Sequence, residues 1–281
     1  MSRTGTSVYP TTLDSFDRIG TANYEDESGY EHTSVHNEAM DGIENIQGVL
    51  GTTAGTSVLK NVQVGQFVAT SDGWTYASDT WTYASATTFT IAGVDRTAMF
   101  PIGTKIKLTQ TSVKYFYVVG SAFSTNTTIT VIGGSDYSLA SATITSPYYS
   151  YSSTPQGFPH WFNYTPILTN VTIGSATILS AFCMNGKTVT LRLRFTMAAD
   201  SSISGTVTFS FPVTARWVGT TGIGVCYAEN LGIQGYMGFV RQQSSTTAIP
   251  INYSNETYNA TAPFTWETGD FFSCYFTYEA A

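Results

Sequence analysis

The sequence predicts a mainly β protein: an extended N-terminal arm and a short coiled-coil-like helix, then two antiparallel β-sandwich or jelly-roll-like domains. From about residue 56 onward, short segments rich in β-branched and aromatic residues alternate apolar with polar side chains, as strands with one buried face do. Gly, Asn, Asp and Pro separate these segments without intervening helical patterns, which favours antiparallel sandwiches or barrels. Charged residues make up only 11% of the chain, so hydroxyl side chains must solvate much of the surface.

The first fifty residues carry the whole formal net charge of −7. Nine acidic side chains stand there against Arg3 and Arg18, whereas the remaining chain has ten acids and ten bases. Residues 1–31 show no sustained hydrophobic period, so we predict an extended arm that becomes ordered on a partner surface. The rest of the chain lacks a basic stripe that would release counterions from phosphates, and a nucleic-acid partner is therefore not expected.

Residues 32–51 predict a short trimerising helix. Its seam has three-and-four spacing and consists of His36, Ala39, Ile43, Ile46 and Leu50. Isoleucine at both a and d positions favours three or more strands, although a single helix docked on its own β domain explains the pattern equally well. Three copies of His36 on a trimer axis could hold a metal or an anion. A polar residue that sets the helix register is the favoured interpretation, so no metal or other cofactor is expected.

The β region divides where its alternation is lost. Three prolines fall within residues 152–166, and proline cannot join a central ladder. We therefore predict a middle antiparallel β domain at residues 56–160 and a C-terminal β-sandwich domain at residues 161–281. No run of about 18 apolar residues and no apolar signal core occur, so neither membrane insertion nor signal-directed secretion is expected.

Three cysteines, Cys183, Cys226 and Cys274, are widely separated and lack metal-site or redox spacing. Their strand-like apolar surroundings predict reduced, buried thiols in a protein made in a reducing cytosol.

A repeated pentapeptide, Trp-Thr-Tyr-Ala-Ser, begins at Trp74 and again at Trp81. If the two copies formed a hairpin, Trp74, Tyr76, Trp81 and Tyr83 would be grouped and could stack against sugar rings. A second aromatic group contains Tyr148, Tyr149, Tyr151 and Trp161. Aromatic side chains also fill sheet cores and subunit contacts, and this second interpretation is favoured over glycan binding.

No catalytic constellation stands out. The histidines are His32, His36 and His160, and no nucleophile elbow, zinc-protease motif or phosphate-binding glycine loop occurs. A glycan-degrading enzyme would need paired carboxylates. Acids of the β region are sparse, and several have turn-like contexts that capping explains: Asp72, Asp79, Asp95 and Asp136. The expectation is that the protein is not an enzyme.

Three parts of the chain resemble proteins of tailed-bacteriophage virions. Residues 9–16 and 36–51 are similar to the N-terminal segment of many phage and prophage virion proteins. Residues 80–90, 114–118, 148–151 and 155–162 are similar to their middle β domain, and residues 263–281 to the closing strands of their C-terminal sandwich. This resemblance implies homotrimers whose arm, residues 1–31, binds other virion proteins while the β domains project outward. It implies no catalytic residues.

The resulting expectation is a homotrimeric virion appendage of the tail, baseplate or head-fibre class, assembled in the host cytoplasm. Its β domains would contact a host-surface glycan or protein. The first alternative is a purely structural capsid-decoration or baseplate protein with no receptor role. A glycan-degrading spike enzyme is the second alternative.

Overall fold

A computed structural model describes residues 72–217, 219 and 222–281, which form two antiparallel β-sheets. The chain divides into two units, Met1–Gly73 and Trp74–Ala281, and both sheets belong to the second. The predicted arm and the predicted helix with its seam residues lie outside the described residues. No helix of the described part is long and apolar enough to span a membrane.

The first sheet has seven strands. They are β1 Thr75–Tyr76, β2 Trp81–Ser85, β3 Thr88–Ala92, β4 Lys105–Thr109, β5 Val113–Phe123, β6 Asn126–Ile132 and β7 Thr145–Ser150, with a 3-10 helix at Thr97–Met99. Their order across the sheet is β1-β7-β4-β5-β6-β3-β2, and every pairing is antiparallel. Alternating side chains of these strands bury one core, in which Phe89, Ile106, Leu108 and Ile129 are completely inaccessible to solvent.

The second sheet has nine strands. They are β8 Phe162–Asn163, β9 Leu168–Thr172, β10 Thr177–Asn185, β11 Thr188–Thr196, β12 Ser202–Ser210, β13 Gly222–Asn230, β14 Gln234–Gln242, β15 Thr247–Asn252 and β16 Phe271–Glu279. Their order is β8-β10-β11-β16-β13-β14-β15-β12-β9, again with antiparallel pairings.

The second sheet folds around one core. β8 and β9 are neighbours in the chain but form its opposite edges. The two edges are linked through β12, since the hydroxyl of Tyr164, which follows β8, donates to the Ser210 carbonyl of β12 at 3.1 Å and β12 pairs with β9. Inward-facing side chains of all nine strands join the same hydrophobic cluster. The prediction of a mainly β, antiparallel and sandwich-like protein is therefore confirmed.

The two sheets share apolar contacts. Tyr117 of β5 is buried against Phe162 and Phe158, with ring centroids 5.2 and 5.0 Å apart. A backbone hydrogen bond of 2.7 Å also runs from the Ser135 amide to the Asn163 carbonyl. The division into domains at residues 56–160 and 161–281 stays a prediction, and its first sixteen residues lie outside the described part of the chain.

Candidate functional site

The two copies of the pentapeptide do not form the expected hairpin. β1 holds the first copy and pairs with β7 at one edge of the first sheet, whereas β2 holds the second and pairs with β3 at the other edge. The hairpin that the spacing allowed does not form, since the first copy pairs with β7 and its Thr75 and Tyr76 lie across from Tyr149 and Tyr148. Residue spacing within a strand does not specify which strand lies beside it.

The four aromatic residues of these copies have different environments. Trp81 is buried and stacks on Phe89, with centroids 4.4 Å apart. Trp74 is also buried, and its indole N–H donates to the Gln156 carbonyl at 2.8 Å. Tyr83 is half-buried, whereas Tyr76 is 60% exposed. Both indole rings are therefore buried inside the protein. Glycan binding by the four aromatic residues of the two copies stays a prediction.

The second aromatic group lies mostly near β7. Tyr148 packs edge-on against Tyr76, with centroids 5.4 Å apart. Tyr151 is exposed, and its hydroxyl donates to the Met99 carbonyl at 2.7 Å. Trp161 immediately precedes β8 and is half-buried. The group is therefore split between the two sheets.

Several carboxylates of the first sheet and its loops have structural partners. Asp95 accepts hydrogen bonds from the Thr97 amide and hydroxyl, which hold the pKa of this carboxyl below its ordinary value. Asp136 accepts from the Asn163 amide, and Asp79 forms a bidentate ion pair with Arg96. Turn capping is thus confirmed for Asp95, while Asp79 serves an ion pair. Within the described part of the chain, no group of three or more His, Cys, Asp or Glu could hold a metal ion.

The solvent-facing side of the second sheet carries the most distinctive surface, which we call the arginine face. It consists of two rows of side chains across the strands β10, β11, β16, β13 and β14. By strand register, the rows are Ala181, Arg192, Tyr275, Val225 and Phe239, and Leu179, Arg194, Ser273, Tyr227 and Met237. Ala181, at the end of the first row, is itself buried. Cross-strand neighbours of this kind lie about 5 Å apart, so each row forms a continuous band.

The arginine face exposes large apolar side chains. Leu179 is 62% exposed and Tyr275 is 54% exposed. Val225, Met237 and Phe239 are also exposed, and Phe239 packs edge-on against Tyr253 with centroids 5.2 Å apart. Contiguous exposed apolar surface of this kind marks interaction sites in soluble proteins.

Two guanidinium groups lie within this apolar surface, each against an aromatic ring. The Arg192 Cζ lies 4.6 Å from the Trp161 ring centroid, and the Arg194 Cζ lies 3.9 Å from that of Phe271. Such cation–π contacts restrain long side chains that would otherwise be mobile. The face therefore presents its positive charges in restricted positions.

An open concavity of about 690 Å³ lies over the arginine face, within the size range of ligand-binding clefts. Its lining includes both arginines, Tyr227, Ser273 and Tyr275. At one margin the Tyr227 hydroxyl donates to the Glu229 carboxylate at 3.1 Å. The concavity thus combines apolar surface, hydroxyl groups and cations, which together suit ligand binding. Among the described residues, no nucleophile is paired with a base there.

The three cysteines belong to strands of the second sheet: Cys183 to β10, Cys226 to β13 and Cys274 to β16. All are free thiols: Cys226 and Cys274 are buried, and Cys183 is half-buried. Burial raises the pKa of Cys226 to about 11 and that of Cys274 well above its ordinary value. The prediction of reduced thiols in apolar strands agrees with this arrangement, with Cys183 only partly shielded.

The arginine face was not predicted from the sequence. Its one local signal is the alternation Leu191-Arg192-Leu193-Arg194-Phe195, which puts two arginines on the solvent side of one strand. The remaining members come from strands that lie far apart in the chain, so only the strand order assembles them. Comparisons of the chain with protein-family models, with curated proteins and with solved structures give no match.

Proposed function

We propose that this chain is a homotrimeric structural protein of a bacteriophage virion, without enzymatic activity, that projects from the particle and attaches it to the host surface. The observation that carries this proposal is the arginine face, an exposed apolar surface with two arginines and a concavity, and no catalytic pair accompanies it in the described residues. The resemblance of the three sequence segments to virion appendage proteins supports the virion assignment. The acidic arm, residues 1–31, is proposed to bind other virion proteins.

Competition for adsorption tests the attachment role. Purified full-length chain is added to host cells before the phage that encodes it. We expect fluorescently labelled chain to stain the cell surface and unlabelled chain to lower the adsorption rate in a dose-dependent way. Heat-unfolded chain is the control, because it has the same composition without the folded surface. If the folded chain neither stains the cells nor slows adsorption, the attachment role is wrong.

The exposed apolar side chains also fit a purely structural role, in which another virion protein covers the arginine face. In that case the chain would be incorporated into particles while free chain would not bind cells. Deleting residues 1–31 is expected to abolish incorporation under both roles. Normal incorporation of the truncated chain would contradict the anchoring assignment.

A further inference from the structure

Among the residues that the structure describes, the two arginines of the arginine face have no anionic partner. In the described part of the chain, arginine ion pairs link Arg96 to Asp79 and Arg216 to Glu279, and no carboxylate lies within ion-pair distance of Arg192 or Arg194. Each of these two stacks on a ring, as described above. Stacking occupies the flat face of a guanidinium and leaves its in-plane N–H groups free to donate. These donors match the geometry of a carboxylate or phosphate.

The neighbours of the arginines suit a sugar ring. Tyr275 lies directly across from Arg192 and is 54% exposed, so its ring can pack against the apolar C–H face of a pyranose. Ser273 lies across from Arg194, and Ser273 and Tyr227 are register partners on the next strand pair. The Ser273 hydroxyl can both donate to and accept from a sugar hydroxyl, and the Tyr227 oxygen, whose proton is donated to Glu229, can accept. The concavity thus offers an oxyanion site beside a stacking surface.

A second copy of the same face is a poorer occupant. Packing the face on itself would place the guanidinium groups of one copy against those of the other, and the two rows contain no acidic residue to offset them. Glu229 at the margin already accepts from Tyr227. Burying unpaired like charges is costly, whereas an anionic ligand neutralises them. The charge of the face therefore favours an acidic small molecule.

We infer that the concavity over the arginine face binds an acidic saccharide, a pyranose that carries a carboxylate or a phosphate group. The inference rests on the proposed attachment function, for which it specifies the chemical class of the host receptor. Surface polysaccharides with uronate units and those with phosphate groups share this chemistry. The site is distinct from the tryptophans Trp74 and Trp81, whose rings are buried.

Calorimetric titration of the full-length chain tests the inference. The probes are trigalacturonate, its neutral methyl ester, glucose 1-phosphate and inorganic phosphate. We expect at least one acidic sugar to bind about tenfold more tightly than both the neutral ester and inorganic phosphate. Because the site is exposed, added salt should weaken this binding. Comparing the uronate with the sugar phosphate identifies which oxyanion the site prefers.

Substitutions locate the binding. Arg192→Gln and Arg194→Gln are each expected to lower the affinity for the acidic sugar about tenfold, which a lost charge-assisted hydrogen bond can account for. Lys187→Gln is the matched control, since it removes an exposed positive charge in the β10–β11 turn and should change affinity less than about twofold. Unchanged thermal unfolding would show that all three variants are folded.

Several outcomes would overturn the inference. These are equal binding of acidic and neutral sugars, equal binding of sugar phosphate and inorganic phosphate, and no binding of any acidic sugar at millimolar concentration. A change in native mass caused by Arg192→Gln or Arg194→Gln would instead make the face a contact between copies. A chain that blocks adsorption without binding acidic sugars refutes this inference alone, whereas one that binds them without blocking adsorption refutes the attachment role.

Discussion

Buried tyrosines make the stability of this protein sensitive to alkali. Burial raises the pKa of Tyr117 to about 12 and raises those of Tyr164, Tyr258 and Tyr278 further. In the unfolded chain a phenol ionises near pH 10. The unfolded state therefore loses these protons first, and stability that is complete below about pH 9 declines as the pH rises through 10 toward the folded-state values.

We expect the free energy of unfolding, measured with denaturant at a series of pH values, to fall steeply above pH 10. The rise in the pKa of Tyr117 alone corresponds to a loss of about 2 kcal/mol by pH 12. Tyr117→Phe should make this alkaline decline shallower, while Tyr253→Phe, at a residue 70% exposed, should leave it unchanged. If stability declined equally with pH in both variants, exposed groups rather than the buried Tyr117 would be the main cause of the alkaline decline.

Two glycines with positive φ differ in the space available for a Cβ atom. Gly103, with φ of 89°, lies against the backbone of Gly186 in the β10–β11 turn, so the first sheet meets the second there without side chains. Gly93, with φ of 67°, faces open space. A substitution at either position strains the backbone, but only one of them also creates a clash.

Gly93→Ala is expected to destabilise the protein by about 1 kcal/mol through its left-handed conformation alone. Gly103→Ala should destabilise the protein by roughly 1–3 kcal/mol more than Gly93→Ala does, because the backbone at Gly186 cannot move as easily as a side chain. Thermal unfolding of both variants measures the difference. Equal effects would contradict a close approach of the two glycines.

At the scale of elements, identical sequence does not give identical structure. The two copies of Trp-Thr-Tyr-Ala-Ser lie at opposite edges of the first sheet. Only the second copy is a full strand, and its Trp81 fits between Phe89 and Phe100, with centroids 4.4 and 5.7 Å away. Neighbouring strands, more than the pentapeptide, determine what each aromatic residue contacts.

Alanine substitutions should distinguish the environments of the two copies of the pentapeptide. Trp81→Ala removes a buried ring and is expected to lower stability by about 3–5 kcal/mol. Tyr76→Ala removes an exposed ring at the sheet edge and should cost about 1 kcal/mol or less. Denaturant unfolding measures both. Trp81→Phe is the control, because it keeps an aromatic ring while removing an indole N–H that has no hydrogen-bond partner among the described residues. Similar costs for the two alanine variants would contradict these placements.

At the scale of the whole molecule, the proposed function requires three copies. Light scattering of the full-length chain should give a mass near three times 30.4 kDa. Replacing both Ile43 and Ile46 with Ser is expected to yield a monomer, because the apolar seam would be lost, while Val49→Ser, outside the seam, should keep the trimer. A wild-type monomer would contradict the trimerising helix. Loss of the trimer in a chelator would indicate that a metal is bound at His36.

Patterns within single segments were enough to predict the β class, the antiparallel pairing and the capping role of Asp95, since each depends on alternation, turn residues or near neighbours. Strand order was beyond such patterns. The pentapeptide pair was placed in a hairpin because nothing local opposed it, and the arginine face was missed because its rows join five strands from residue 177 to residue 279. The sequence by itself determined which side of each strand is apolar. Only the tertiary structure decided which strands are neighbours, because pairing depends on how the whole chain buries its apolar sides at once.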